Sequence, residues 1–128
     1  VLTSHGGAGV FSYSEETGAA ADVDSHMTVR NNTVSAPESL ATPGIRMQSF
    51  IDVTLCADVT GNTSAGSIGA SGIEVLQSGA SVFQVLGLGA LAVDVYLAGA
   101  NTATAASTGG AYVAAPAACS TPTPPTVP

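Results

Sequence analysis

The sequence contains no lysine and no tryptophan, and two arginines are its only strongly basic side chains. Nine acidic residues give the 128-residue chain a formal net charge of -7. Because nucleic acids and anionic membrane surfaces bind through clusters of basic residues, this charge argues against both as partners. Charged residues make up 9% of the chain, against about a quarter in average proteins, so small polar residues must form much of the surface.

The sequence also lacks the motifs of common catalytic and metal sites. It has no zinc-type spacing of Cys and His, no EF-hand loop, no HExxH helix and no G-x-S-x-G elbow, so we expect neither an enzyme nor a cofactor. Asp22, Asp24 and His26 alternate along a predicted strand and therefore share one face, where they are candidate ligands for a divalent cation. The alternative for this triplet is a solvated strand face.

Residues 81–100 form the longest apolar run. Within it, between Ser81 and Ala100, Gln84 and Asp94 are the interrupting polar side chains. Its length approaches that of a membrane span. Gly87 and Gly89 in the middle, Asp94 in the second half and the absence of flanking lysine or arginine argue against a transmembrane helix. The spacing favours two strands, one of them over residues 91–97, with a bend at the glycines. A buried or membrane helix remains the alternative.

Residues 45–60 alternate between apolar and polar side chains except at Ser49, Phe50 and Cys56, which predicts a strand with one buried and one solvated face. A strand of sixteen residues either bends across two sheets or extends beyond its own domain. Residues 9–14, 20–30 and 109–119 are further strand candidates, and glycine-rich turns separate them. The pattern predicts an all-β fold, a single antiparallel β-sandwich or jelly-roll-like domain over residues 1–119, with a glycine-rich N-terminal segment. Four prolines predict an extended tail over residues 120–128.

Two cysteines, Cys56 and Cys119, predict one intrachain disulfide in an oxidising compartment, with two buried thiols as the alternative. The triplets that begin at Asn31 and Asn62 are possible sites of N-linked glycosylation. The sequence starts without methionine and without a charged leader, which is typical of a chain from which a signal peptide has been removed. We therefore expect the protein outside the cell or at the cell surface.

The composition resembles that of secreted proteins that assemble into pili or coats. The leading hypothesis is a secreted, non-enzymatic structural subunit that self-assembles into a filament or surface layer. Residues 1–13 would supply a strand that is exchanged between copies of the chain. One alternative is a secreted β-sandwich module that binds glycans or another surface through outward-facing Phe50, Tyr96 and Tyr112. A viral coat or decoration protein is the other.

Overall fold

The computed structural model describes residues 7–15, 23–110 and 112–115, which form ten strands and one helix. In chain order these are β1 (Val10–Glu15), β2 (Val23–Arg30), β3 (Thr33–Val34), β4 (Ile45–Phe50), β5 (Val53–Thr60), β6 (Thr63–Ser64), β7 (Ile73–Gln77), β8 (Val82–Val85), α1 (Val93–Ala100), β9 (Ala105–Thr108) and β10 (Tyr112–Ala114).

The strands form three parallel sheets, and the chain passes through the sheets in turn. The first sheet has the order β1-β4-β7-β9, the second β2-β5-β8-β10, and the third consists of β3 and β6. Val10 pairs with Ile45, and Ile45 pairs with Ile73, so two successive circuits take 35 and 28 residues. The chain therefore winds as a parallel β-helix, which we call the β-coil. Each turn of it, which we call a coil, stacks on the preceding one.

Four coils follow one another along the axis. β1 to β3 form the first coil, β4 to β6 the second, β7, β8 and α1 the third, and β9 and β10 the fourth. In the third coil α1 follows β8 and ends before the position that corresponds to β3 and β6. Thr102, just after α1, still forms a parallel bridge with Thr63, so the chain returns to the coil path after the helix.

The predicted antiparallel β-sandwich or jelly-roll is wrong, because every strand pair in the described residues is parallel. Alternation shows which face of a strand is buried but carries no information on the direction of its neighbour. Parallel sheets are typical of α/β proteins, in which a helix connects each pair of adjacent strands. Here strands of the other sheets make most of that connection, and α1 is the one helix among the described residues.

Residues 45–60 bend across two sheets, which was one of the two expectations for so long a strand. β4 lies in the first sheet and β5 in the second, and the chain turns at Ile51 and Asp52. This turn takes two residues, so odd positions face inward on both sides of it. The even face of β5 is not solvated as predicted, because Cys56 and Asp58 are only 3% and 2% exposed.

Residues 81–100 contain one strand and one helix. β8 agrees with the predicted first strand, but the predicted strand over residues 91–97 is wrong, because α1 begins at Val93. Val93 and Leu97 are the buried residues of α1. Positions four apart share a face in a helix and also in a strand, so these two residues did not distinguish the alternatives. None of the described helical structure is long and apolar enough to cross a membrane.

The core is a stack of inward-facing apolar side chains between the sheets. Ile45 lies beside Ile73 in the first sheet, and Leu55 lies beside Phe83 in the second; none of the four is more than 1% exposed. The third sheet and the segment around α1 close the remaining side with Val34, Leu88, Val93 and Leu97. Burial of apolar surface, worth roughly 25 cal/mol per Å², holds the coils together.

The first corner, which joins the first sheet to the second, comprises residues 51–52, 78–81 and 109–110. Ile51 and Gly79 have positive φ angles of 60° and 68°. A Cβ atom on Gly79 would lie 3.2 Å from the Ile51 backbone, so the two turns are stacked closely. Buried Ser81 donates its hydroxyl to the carbonyl of Ser78 (2.8 Å) or of Ser49 (3.0 Å).

The second corner, which follows the second sheet, comprises residues 31–32, 61–62 and 100–101 and is built on an asparagine ladder, defined as Asn32, Asn62 and Asn101. Nδ2 of Asn62 donates to Oδ1 of Asn101 at 2.9 Å, and Nδ2 of Asn32 donates to Oδ1 of Asn62 at 3.1 Å. The backbone N–H groups of Asn32 and Asn62 donate to the same oxygens of the next coil. Asn62 is 1% exposed, so solvent does not reach its amide. The amide itself supplies hydrogen bonds to polar groups of all three turns.

Candidate functional site

The two ends of the β-coil carry strands that pair on one side only within the described residues. β1 and β2 pair with β4 and β5 at one end, and β9 and β10 pair with β7 and β8 at the other. The N–H of Val10 donates to the carbonyl of Gly44 at 3.1 Å, and the N–H of Ala115 donates to that of Val85 at 3.1 Å. Because successive N–H groups of a strand point to opposite sides, those of Phe11 and Ala114 point toward the outer edges. At each end, backbone donors and acceptors therefore face outward, and a further strand can pair with them.

The N-terminal segment that was predicted to exchange, residues 1–13, is described in part. Residues 1–6 lie outside the described ranges. Val10 to Tyr13 belong to β1, which pairs with β4 of its own chain. An exchange between copies would form this same pairing between two chains, so it stays a prediction.

Three aromatic side chains form what we call the aromatic platform, defined as Phe11, Tyr13 and Phe50, on the outer face of the first sheet. Phe11 and Tyr13 alternate on β1 and are 57% and 48% exposed. The rings of Tyr13 and Phe50 pack with centroids 5.1 Å apart. The hydroxyl of Tyr13 donates to Oε2 of Glu15 at 2.5 Å, and this hydrogen bond raises the pKa of the tyrosine. Tyr13 is therefore held in place by Phe50 and Glu15, and Phe11 lies two residues before it on the same outer face.

A polar row, defined as Arg46, Gln48 and Glu74, continues this face beside the platform. Arg46 pairs with Phe11 on one side and with Glu74 on the other in the strand register. Its Nη2 lies 3.6 Å from Oε1 of Glu74. The amide oxygen of Gln48 faces the guanidinium and accepts a hydrogen bond from Nε of Arg46 at 2.7 Å. The row thus presents the partly exposed Arg46 and Glu74, whose formal charges cancel, above the buried amide of Gln48.

A surface cleft of about 230 Å³ opens where the polar row ends. Glu74 contributes a wall of the cleft, and the other lining residues are small: Ala41, Gly69, Ala70, Ser71 and Ala106. Leu40 and Ile68, in the two loops that lead into β4 and β7, are 75% and 84% exposed. The N–H of Ala41 donates to the carbonyl of Ile68 at 3.1 Å, which ties these loops together.

The outer face of the second sheet carries a different cluster, formed by Arg30, Asp58 and Tyr96. Arg30 forms an ion pair with the buried carboxylate of Asp58, and that hydrogen bond raises the pKa of the guanidinium. The hydroxyl of Tyr96 donates to the carbonyl of Leu86 at 2.7 Å. Burial, and then the nearby Asp58 charge, raise the pKa of Tyr96. Each polar group of the cluster has a structural partner, so the cluster fastens α1 to the second sheet.

Two of the aromatic residues that were predicted to face outward do not do so. Tyr112 packs on Phe83 with ring centroids 5.6 Å apart, and its hydroxyl donates to the carbonyl of Thr108 (2.5 Å) or of Val75 (2.9 Å). Tyr96 packs against the core as well. The aromatic residues that do face outward, Phe11 and Tyr13, were not among the predicted ones. Their signal was the placement of two aromatics at alternate positions of a predicted strand.

The candidate metal ligands lie mostly beyond what the structure describes. Asp22 and the side chain of Asp24 are outside the described residues, and His26 is exposed on β2. In the described part of the chain, no three His, Cys, Asp or Glu side chains are grouped closely enough to hold a metal ion. The cation site therefore stays a prediction.

The disulfide and the glycans also stay predictions. Cys56 is buried on the outer side of β5, and Cys119 lies outside the described residues. Asn31 is exposed at the second corner, where a glycan would have space. Asn62 is different, because its amide is buried in the asparagine ladder and donates to the carbonyl of Val29 at 2.8 Å. A glycan on Asn62 would require the ladder to open.

Comparison with known proteins returns no match to a family model, a curated protein or a solved structure.

Proposed function

We propose that the chain is an extracellular, non-enzymatic structural subunit that assembles end to end into a filament or surface layer. The observation that supports this proposal is the pairing of β1, β2, β9 and β10 on one side only within the described residues. Strands in all four coils run in the same direction, so the β9 and β10 end of one copy can accept the β1 and β2 end of the next. Such a contact is heterologous and leads to an open filament unless the rotation closes into a ring.

The composition supports the same proposal. Soluble proteins commonly protect exposed strand edges with lysine, inward-facing charges or proline. This chain has no lysine, and of the described edge strands only β2, with Arg30, carries a basic residue other than histidine. Strand addition forms backbone hydrogen bonds along the edge and buries the ends of the core. Because few charges take part, added salt should weaken the assembly little.

Assembly can be tested at the outer edge of β10. Replacing Ala114 with proline removes the N–H that faces the edge and leaves the β8 side of the strand bonded. Size-exclusion chromatography with light scattering and electron microscopy should show that the full chain forms larger species as its concentration rises. Ala114→Pro should remain monomeric with an unchanged circular dichroism spectrum.

The matched control is Ala114→Ser, which keeps the N–H and should assemble like the unmodified chain. The proposal is wrong if the full chain stays monomeric at high concentration, or if Ala114→Pro assembles as readily as Ala114→Ser. Should Ala114→Pro lose its folded spectrum, Ala114→Lys, which keeps the N–H and adds a charge beside the edge, provides the same comparison.

A further inference from the structure

We propose that the outer face of the first sheet binds a neutral, extended polysaccharide. This proposal is separate from assembly, because edge pairing uses backbone groups at the ends of the β-coil, whereas the aromatic platform and polar row project sideways from the sheet. The site would comprise the aromatic platform, the polar row and the cleft. Each of the three contributes one property that a sugar chain requires.

The aromatic platform supplies an apolar stacking surface. The chain has only six aromatic residues, and three of them lie on the adjacent strands β1 and β4, at one edge of this face. Exposed apolar patches of this kind commonly mark interaction sites. The C–H face of a pyranose ring can pack flat on such rings while its hydroxyl groups point to the side. Phe11 and Tyr13 are two residues apart on one strand, roughly 6.6 Å, so each ring can contact a different part of the ligand.

The polar row supplies hydrogen-bonding groups without a net charge. Arg46 contacts both Gln48 and Glu74, so the guanidinium is already neutralised. An anionic polymer would meet Glu15, Glu74 and a chain with a net charge of -7, with one arginine to compensate. Sugar hydroxyl groups both donate and accept, and they suit the mixed donors and acceptors of this row. The charges therefore favour a neutral ligand over an acidic one.

The cleft supplies length and enclosure. From β1 to β9 the first sheet spans three strand spacings, or about 14 Å at about 4.8 Å each. Phe11 of the platform, Arg46 and Glu74 of the polar row, and Ala106 of the cleft follow one another across this distance, perpendicular to the strands. Small residues line the cleft, so a sugar ring can approach the backbone closely. A chain of several sugar units fits this arrangement better than a single sugar.

Affinity electrophoresis of the native protein tests the proposal. The gels would contain hydroxyethyl cellulose or dextran as neutral polymers, or polygalacturonate as an acidic one. We expect at least one neutral polymer to retard the protein and polygalacturonate not to do so. The double variant Phe11→Ala/Tyr13→Ala should bind the retarding polymer at least tenfold more weakly. Val113→Ala, which removes an exposed apolar side chain from the second sheet, should bind unchanged.

Three results would overturn the proposal: no retardation by either neutral polymer, stronger retardation by polygalacturonate, or equal binding by the double variant and the unmodified protein. Circular dichroism checks that the double variant is folded. If it is not, Tyr13→Leu, which keeps apolar area but removes the ring, should also weaken binding, and unchanged binding would count against the site. None of these results depends on whether the chain assembles.

Discussion

The first and second corners make the same change of direction in successive coils, but by different means. At the second corner two residues separate β2 from β3 and β5 from β6, and an asparagine occupies the same place in each turn. At the first corner the connections between strands have two, four and three residues, and no residue type is common to all three. Positive φ angles occur at both corners, at Asn31 and Gly61 in the second and at Ile51, Gly79 and Gly109 in the first, but only the second corner adds a recurring side chain.

This difference has an energetic consequence. The asparagine ladder links three coils through the buried amide of Asn62, so a loss at its centre affects all three turns. The first corner accommodates connections of different length, and it tolerates Ile51 at a φ of 60°, where β-branched residues are rare. We infer that the second corner sets the stacking distance of the coils and that the first adapts to it.

The largest effect is expected from Asn62→Ala. This change leaves the buried carbonyl of Val29 and the partly buried backbone N–H of Asn32 without their side-chain partner. At about 1–3 kcal/mol for each lost partner, the free energy of unfolding should fall by about 3 kcal/mol, measured by urea denaturation. Asn32→Ala, at the exposed end of the ladder, is the control and should cost about 1 kcal/mol. Equal effects at the two positions would contradict a ladder that depends on its central member.

A smaller effect is expected at the last turn of the first corner from Tyr112→Phe. The hydroxyl of Tyr112 joins the third and fourth coils through Val75 and Thr108, and its loss should lower the free energy of unfolding by about 1 kcal/mol at pH 7.

The same residue gives this expectation a pH dependence. Burial raises the pKa of Tyr112 in the folded state above its ordinary value of 10.0. The folded state thus holds the proton more tightly, so this contribution is complete below pH 10 and declines as the pH rises through the folded pKa. The difference between Tyr112→Phe and the unmodified chain should therefore shrink above pH 10. A difference that stays constant up to pH 11.5 would contradict burial of the hydroxyl.

The smallest effect, and the only gain, is expected from Ile51→Asn. Asparagine adopts positive φ more readily than isoleucine, and Ile51 is 41% exposed, so little buried area is lost. The free energy of unfolding should rise by about 0.5 kcal/mol, measured by thermal denaturation. Ile51→Val keeps the branched side chain and should give no gain. A destabilised Ile51→Asn would show that the side chain contributes more to packing than its exposure indicates.

The strands were more predictable from the sequence than their arrangement. Alternation located β1, β4 and β5, and it assigned Ile45, Met47 and Leu55 to the core correctly. Parallel pairing was not predictable from alternation, because a strand with one buried face can lie in either kind of sheet. The helix α1 was missed because its buried positions are also compatible with a strand.

A signal for the coil was nevertheless present in the sequence. An Asn-Thr pair occurs at residues 32–33, 62–63 and 101–102, at intervals close to the length of one coil. Such spacing is typical of repeat architectures, in which each repeat stacks on the next. Asn62 also begins a glycosylation triplet and Asn32 lies within one, which masks the repeat. Of the candidate surface, only Phe50 was anticipated, since the platform and cleft form between residues that are distant in sequence.

The in-register stacking of strands also determines how the molecule can unfold. Each paired strand lies about one coil away along the chain, so every coil is stabilised mainly by its immediate neighbours. Such an array behaves approximately as a one-dimensional lattice, in which order can nucleate at an interior coil and propagate outward. Amide hydrogen exchange should therefore be slowest in β5 and β7 and faster in β1 and β10, where fraying begins.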